Sequence, residues 1–205
     1  MPVFSANPKQ KAYLSAAVWL FVFIPLISLL YGIYEVQVAG NLFYYGPEPG
    51  KAVVHMLGQW AIGLLLLVVS INPLNDWLGV KLRPYSRRLG LAAFAYAALH
   101  IASYFIFIQG LVLQELWQDL QKRPYIIVGA IAWLLLLPLA ITSTKSWMRR
   151  LKRNWKRLHM LVYPSIILVL IHLWWQVKAD AWLAVLCSVI FAIVLVEKYR
   201  RSRLA

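Results

Sequence analysis

Cysteine is almost absent from this chain: Cys187 is its only one. A single thiol allows no intramolecular disulfide and holds no metal site by itself. Set inside an apolar segment, Cys187 reads as a small packing residue. Acidic side chains are also scarce, with 7 Asp and Glu against 21 Lys and Arg, a formal charge of +14. Charged residues of both signs make up only 14% of the chain and hydrophobic ones 62%, which leaves too little polar surface for a soluble domain. A positive excess of this size would suit nucleic acid. The Lys and Arg, however, fall in gaps between apolar segments rather than along an amphipathic face, which argues against that partner. No glycine-rich nucleotide fingerprint occurs, so the chain carries no recognisable NAD(P)H or FAD domain. Internal repeats and low-complexity segments are missing as well.

What the chain has is apolar length. Six stretches reach the roughly 20 residues that cross a bilayer: Tyr13–Tyr34, Ala52–Ile71, Leu89–Ile108, Tyr125–Thr142, Leu158–Val177 and Ala181–Val196. The first follows Lys9 and Lys11 as a signal peptide would. It is longer than a signal h-region and no A-x-A-like site follows, so it reads as a retained membrane helix. Turn signals fall between segments at Gly46-Pro47-Glu48-Pro49-Gly50, Asn72-Pro73 and Arg83-Pro84, and Arg123-Pro124 precedes a helix start. Pro25, Pro138 and Pro164 lie within spans and should kink them or free backbone carbonyls. The expected fold is an all-α integral membrane protein, with six transmembrane helices in one bundle over residues 1–205.

Basic residues set the expected orientation. Lys9 and Lys11, then Lys81, Arg83, Arg87 and Arg88, then Lys145, Arg149, Arg150, Lys152, Arg153, Lys156 and Arg157, and finally Lys198, Arg200, Arg201 and Arg203 share one side. The other side has Lys51, Lys122, Arg123 and Lys178. Seventeen against four places both termini in the cytoplasm. Trp155, Trp174, Trp175 and Trp182 fall near the predicted interfaces, as an aromatic belt requires. The run Lys145–Arg157 serves first as a topology signal. Its excess also suits anionic lipid head groups, a flavin phosphate or an acidic cytoplasmic reductase.

Ionisable residues are costly inside a membrane, so an intramembrane histidine is a functional-site hypothesis. His100 lies 12 residues into the third span, about 18 Å deep, and His172 lies 14 residues into the fifth, about 21 Å deep. Both spans run the same way, so the two imidazoles share one depth and suit the axial positions of a haem iron. Gly90, Ala93, Ala97 and His100 follow each other at intervals of 3, 4 and 3. They form a small stripe that would leave a slot for a flat macrocycle. The alternatives are a proton-relay or substrate-binding pair in a small transporter, and structural polar contacts within small-residue helix packing. His159 lies 13 residues before His172, so on one continuous helix it would sit about 20 Å away and roughly 140° around the axis. It cannot share an iron with His172. It is either a ligand to a second haem near the cytoplasmic face or an interfacial histidine. His55, at the outer end of the second span, reads as a surface or interfacial residue, with a propionate or quinone contact as the alternative.

Several stretches carry a resemblance: GPEPGK in the first loop, RRLGLAAFAYAALHIASY, KRPYIIVGAIAW followed by ITST, and WKRLHMLVYPSIILVLIHLWWQVKAD. Together they resemble the MsrQ (YedZ) family, the haem-binding membrane subunit of the periplasmic methionine-sulfoxide reductase system. More distantly they resemble ferric-reductase-like transmembrane domains, with residues 52–177 as the haem-binding core. The resemblance implies b-type haem, one or two, with His100, His172 and His159 as candidate iron ligands and Arg87 as a substitute ligand or propionate partner. It also implies FMN, with no residue assigned to it. Electrons would come from the quinone pool or a cytoplasmic flavin reductase. They would pass to a periplasmic molybdopterin subunit, MsrP, that reduces methionine sulfoxide in envelope proteins. The implied location is the bacterial inner membrane, and the implied role is an electron-transfer subunit whose catalytic site lies on its partner.

Overall fold

A computed structural model describes residues 8–79, 82–177 and 181–204, with the side chains of 8, 10, 11 and 204 left aside. Lys81 and Lys178, counted above for orientation, lie outside the described residues, as does the side chain of Lys11. Every regular element described is helical, and six helices are long and apolar enough to cross a membrane. The chain forms two compact units, divided between Pro49 and Gly50.

The first unit is α1 (Pro8–Gln37) and the turn-rich segment after it. α1 continues through Pro25. The chain then folds back on α1, and the Tyr45 hydroxyl donates to the Leu29 carbonyl at 3.1 Å.

The second unit holds the remaining spans. α2 (Pro49–Leu78) is 30 residues long, about 45 Å at 1.5 Å per residue, and so outruns the hydrocarbon layer. The turn expected at Asn72-Pro73 is absent, because α2 passes through both residues. An interior proline removes one backbone hydrogen bond, which membrane helices tolerate. The actual stop is Gly79, whose φ of +66° gives the left-handed conformation that ends a helix at small steric cost. The two asparagines hold the reversal that follows. Asn75 Oδ1 accepts from the Leu82 N–H at 2.7 Å, and Asn72 Oδ1 accepts from Arg83 Nε at 3.0 Å. Arg83–Tyr85 forms one 3-10 turn and leads into α3 (Ser86–Phe107).

Between the third and fourth spans lies a helix the apolar-run reading passed over, α4 (Leu113–Lys122). α5 (Pro124–Ile141) follows at once, with Pro124 in its first turn, and continues through Pro138. The basic run folds as two short helices, α6 (Lys145–Leu151) and α7 (Arg153–His159), joined at Lys152. α8 (Val162–Gln176) and α9 (Trp182–Leu204) complete the unit.

The expected single helix over Leu158–Val177 is broken at Met160–Leu161, between α7 and α8. Pro164 is the cause: without an N–H it cannot bond the Met160 carbonyl in the usual i→i−4 manner. That carbonyl accepts from Tyr163 instead, and Leu161 bonds back to Leu158, both in the tighter three-residue register. Arg153–Gln176 still forms one apolar passage.

α5 and α8 are the most extensively packed pair. Ala132 on α5 is 1% exposed and Ser165 on α8 is fully buried. The Ser165 hydroxyl donates to the Ala132 carbonyl at 2.8 Å, so small residues bring the backbones close and one hydroxyl ties them. Contacts also define a basic end of the unit. There Arg201 on α9 pairs with Asp76 on α2 at 2.8 Å, Lys198 stands 3.4 Å from the Tyr163 ring centre, and Trp155 Nε1 donates to the Thr142 carbonyl at 3.0 Å.

Candidate functional site: a pair of intramembrane imidazoles

His100 on α3 and His172 on α8 meet. Their ring centres are 6.3 Å apart and their planes stand at 86°, so the equal depths argued from residue counts correspond to direct proximity. Each ring is held by a backbone carbonyl of another span. His100 Nδ1 lies 2.8 Å from the Val54 carbonyl on α2, and His172 Nδ1 lies 2.7 Å from the Tyr125 carbonyl on α5. A carbonyl oxygen has no proton to give, so in both rings Nδ1 carries the hydrogen. In the neutral ring that leaves Nε2 as a bare lone pair. This is the arrangement that orients metal-ligating histidines and raises their basicity. The Tyr125 ring closes over His172, with centres 5.8 Å apart.

The separation tests the axial-ligand reading. Two imidazole–metal bonds of about 2.0–2.1 Å, each extended about 1.1 Å from Nε2 to the ring centre, put the centres about 6 Å apart. That agrees with the observed spacing. Among the described residues no group of three or more His, Cys, Asp or Glu gathers to hold a metal ion. Two imidazoles alone would leave an ion short of ligands, which a tetrapyrrole's four nitrogens could complete. The small-residue stripe serves less as a slot than its spacing suggested. Ala93 is 1% exposed and packed against protein, while beside Gly90 the space is open to 4 Å. Near this interior Phe94 stacks on Trp133 at 5.4 Å, and the Trp133 indole N–H is buried without a hydrogen-bond partner. It is a donor that a bound group could use.

His159 and Arg87 belong to the basic end of the unit, while His55 lies close enough to His100 to interact with it. His159 ends α7, so the angle to His172 calculated for one continuous helix does not apply across the break at Pro164, a proline the sequence already marks as a kink. Its ring stacks on Trp155 with centres 3.8 Å apart, Nδ1 lies 3.1 Å from the Trp155 carbonyl, and the Leu139 carbonyl also stands against the ring. Arg87 is exposed on the first turn of α3, and His55 is exposed on α2 one residue beyond Val54.

A polar cluster at the opposite end from the basic loops escaped the sequence reading. Asp119 on α4 accepts from the Tyr104 hydroxyl at 2.5 Å and from Gln109 Nε2 at 2.6 Å, and pairs with Arg123 at 3.3 Å. It ties α4 across the end of α3 and to Arg123, which lies two residues before the Tyr125 whose carbonyl holds His172. Leu113, Leu116, Trp117 and Leu120, at helical spacing, are the signal that would have disclosed α4.

Six apolar helices and a facing imidazole pair define a multi-pass membrane protein with a two-histidine site between spans. The family described as "Ferric reductase like transmembrane component" matches residues 57–170, which include His100 and His159 and stop just short of His172. A relative from Xanthomonas axonopodis pv. citri (strain 306), named "Protein-methionine-sulfoxide reductase heme-binding subunit MsrQ", is 47% identical over 173 residues, 83% of this chain and 78% of its own length. Relatives of the same name from Xanthomonas oryzae pv. oryzae (strain MAFF 311018) and Xanthomonas campestris pv. campestris (strain 8004) are 46% and 47% identical, over 83% and 73% of this chain and 78% and 69% of theirs. The chain belongs to the MsrQ family.

Proposed function

We propose that this chain holds one b-type haem between His100 and His172 in the bacterial inner membrane and passes electrons outward to a periplasmic methionine-sulfoxide reductase subunit. The observation that carries this reading is the imidazole pair itself: ring centres 6.3 Å apart, with each Nδ1 turned onto a carbonyl of another helix. The haem would supply a one-electron carrier whose potential depends on its ligands and its burial. The protein's part is to fix both rings in the Nδ1–H form, leave both Nε2 atoms free of those carbonyls, and keep water away with apolar helices. The names of the relatives support the haem and the reductase system.

The finer assignments rest on the family resemblance. The acceptor is the molybdopterin subunit MsrP, and the donor is the quinone pool or a cytoplasmic flavin reductase. The missing nucleotide fingerprint fits a separate donor. FMN is part of the proposal, without assigned residues. His159, at the basic end, is the candidate ligand for a second haem there, with Arg87 as a substitute ligand or propionate partner. The competing reading, a histidine relay in a small transporter, fits less well. Both Nδ1 atoms are committed to carbonyls, which accept protons from neither ring.

The visible spectrum of the purified protein, expressed with haem available, tests the proposal. A sharp reduced b-type spectrum is expected. A colourless protein with intact helices would sink it.

A further inference from the structure

The imidazole pair is assembled from one local arrangement used twice. The carbonyl that holds His100 belongs to Val54, and four residues along the same helix is Gly58; the carbonyl that holds His172 belongs to Tyr125, and four residues along is Gly129. A Cβ built on Gly58 would stand 3.0 Å from His100 Nδ1 and 3.1 Å from Cε1. One on Gly129 would stand 2.9 Å from His172 Nδ1 and 3.0 Å from Cε1. In an α-helix the N–H four residues after a carbonyl bonds that carbonyl. Each imidazole therefore reaches its carbonyl beside the glycine's own N–H, through space any other residue would fill.

We infer that Gly58 and Gly129 are positioning residues for the two imidazoles. By lacking a Cβ they admit each ring to its carbonyl through Nδ1, which leaves Nε2 for the iron and sets the ring planes near perpendicular. This rests on the axial-ligand reading above, since neither glycine touches the iron and both act through a histidine. Gly63, on α2 like Gly58, is the built-in control: a Cβ there meets nothing within 4 Å.

The test compares the full chain with Gly58→Ala, Gly129→Ala and Gly63→Ala. Low-temperature electron paramagnetic resonance of the oxidised protein reads the angle between the axial imidazole planes. The unaltered chain should give the strongly anisotropic low-spin signal of perpendicular rings. Gly58→Ala and Gly129→Ala should each shift its largest g value, and Gly63→Ala should superimpose on the original. Nitrogen-15 spectra of the histidine-labelled, haem-free chain give an independent readout. Both His100 and His172 should be Nδ1–H tautomers, with one of them lost in each site variant. Unchanged signals and tautomers in both site variants would overturn the inference. So would an Nε2–H tautomer at either histidine of the unaltered chain, which decides the matter even if an alanine variant fails to accumulate. An unaltered chain that binds no haem would instead defeat the axial-ligand reading and the iron-directed part of this inference, while the tautomers still report whether the glycines set the rings.

Discussion

At the scale of single residues, backbone geometry does as much as side-chain chemistry. Lys152 joins α6 to α7 with φ of +47° and ψ of −120°. That conformation is open to glycine and strained for a residue with a Cβ, typically by about 1–3 kcal/mol. Lys152→Gly should therefore raise the stability of the detergent-solubilised protein by about 1 kcal/mol in thermal unfolding, after the greater unfolded-state freedom of glycine is subtracted. The histidines were legible in the sequence because an ionisable residue in an apolar run stands out, and residue counts put two of them at one depth. Their carbonyl partners were not legible. Every residue has a carbonyl, and nothing in the letters Val54 or Tyr125 says that theirs will face an imidazole. His159 is the opposite case: its angular distance from His172 holds only along a continuous helix, and Pro164, legible in the sequence as a kink, interrupts that helix.

At the scale of elements, the closest packed helices are those carrying one half of the site. Ser165→Ala removes the bond from α8 to Ala132 on α5. It should cost about 0.6 kcal/mol, the average for side-chain hydrogen bonds between membrane helices, and at most about 1.7 kcal/mol. Ser165→Leu forces a large side chain into a fully buried position. It should cost about 1–3 kcal/mol and lower haem retention, because α5 carries the carbonyl and α8 the histidine. Thermal melts with haem absorbance separate the two effects. Asp119 ties α4 to Tyr104 and Gln109, and Asp119→Ala would leave the Tyr104 O–H without its acceptor, at about 1–3 kcal/mol, while Gln109 Nε2 keeps the Tyr104 oxygen at 2.7 Å. The expected outcome is faster hydrogen exchange across Leu113–Lys122, with the spans unaffected; unchanged exchange there would show that Asp119 does not hold the helix. The spans were readable because their length and apolarity follow from the bilayer. α4 was not, because ten residues with four apolar ones fall below any spanning threshold. The end of α2 was misplaced for a different reason. Asn72-Pro73 looks like a turn, and only the left-handed Gly79 shows where the helix stops.

At the scale of the whole chain, charge and apolarity are segregated along the sequence, with long apolar runs separated by gaps in which most of the basic residues fall. The seventeen-to-four distribution predicts that the C-terminal tail faces the cytoplasm. A reporter fused there should be active only as a cytoplasmic reporter, and periplasmic activity would reverse the proposed direction of electron flow. The central claim is that His100 and His172 share one haem, and haem content per chain measured on purified variants tests it most directly. The account predicts that His100→Ala and His172→Ala each lose this haem, while His159→Ala keeps it with its spectrum intact. A His100→Ala protein with full haem content and an unchanged spectrum would contradict it.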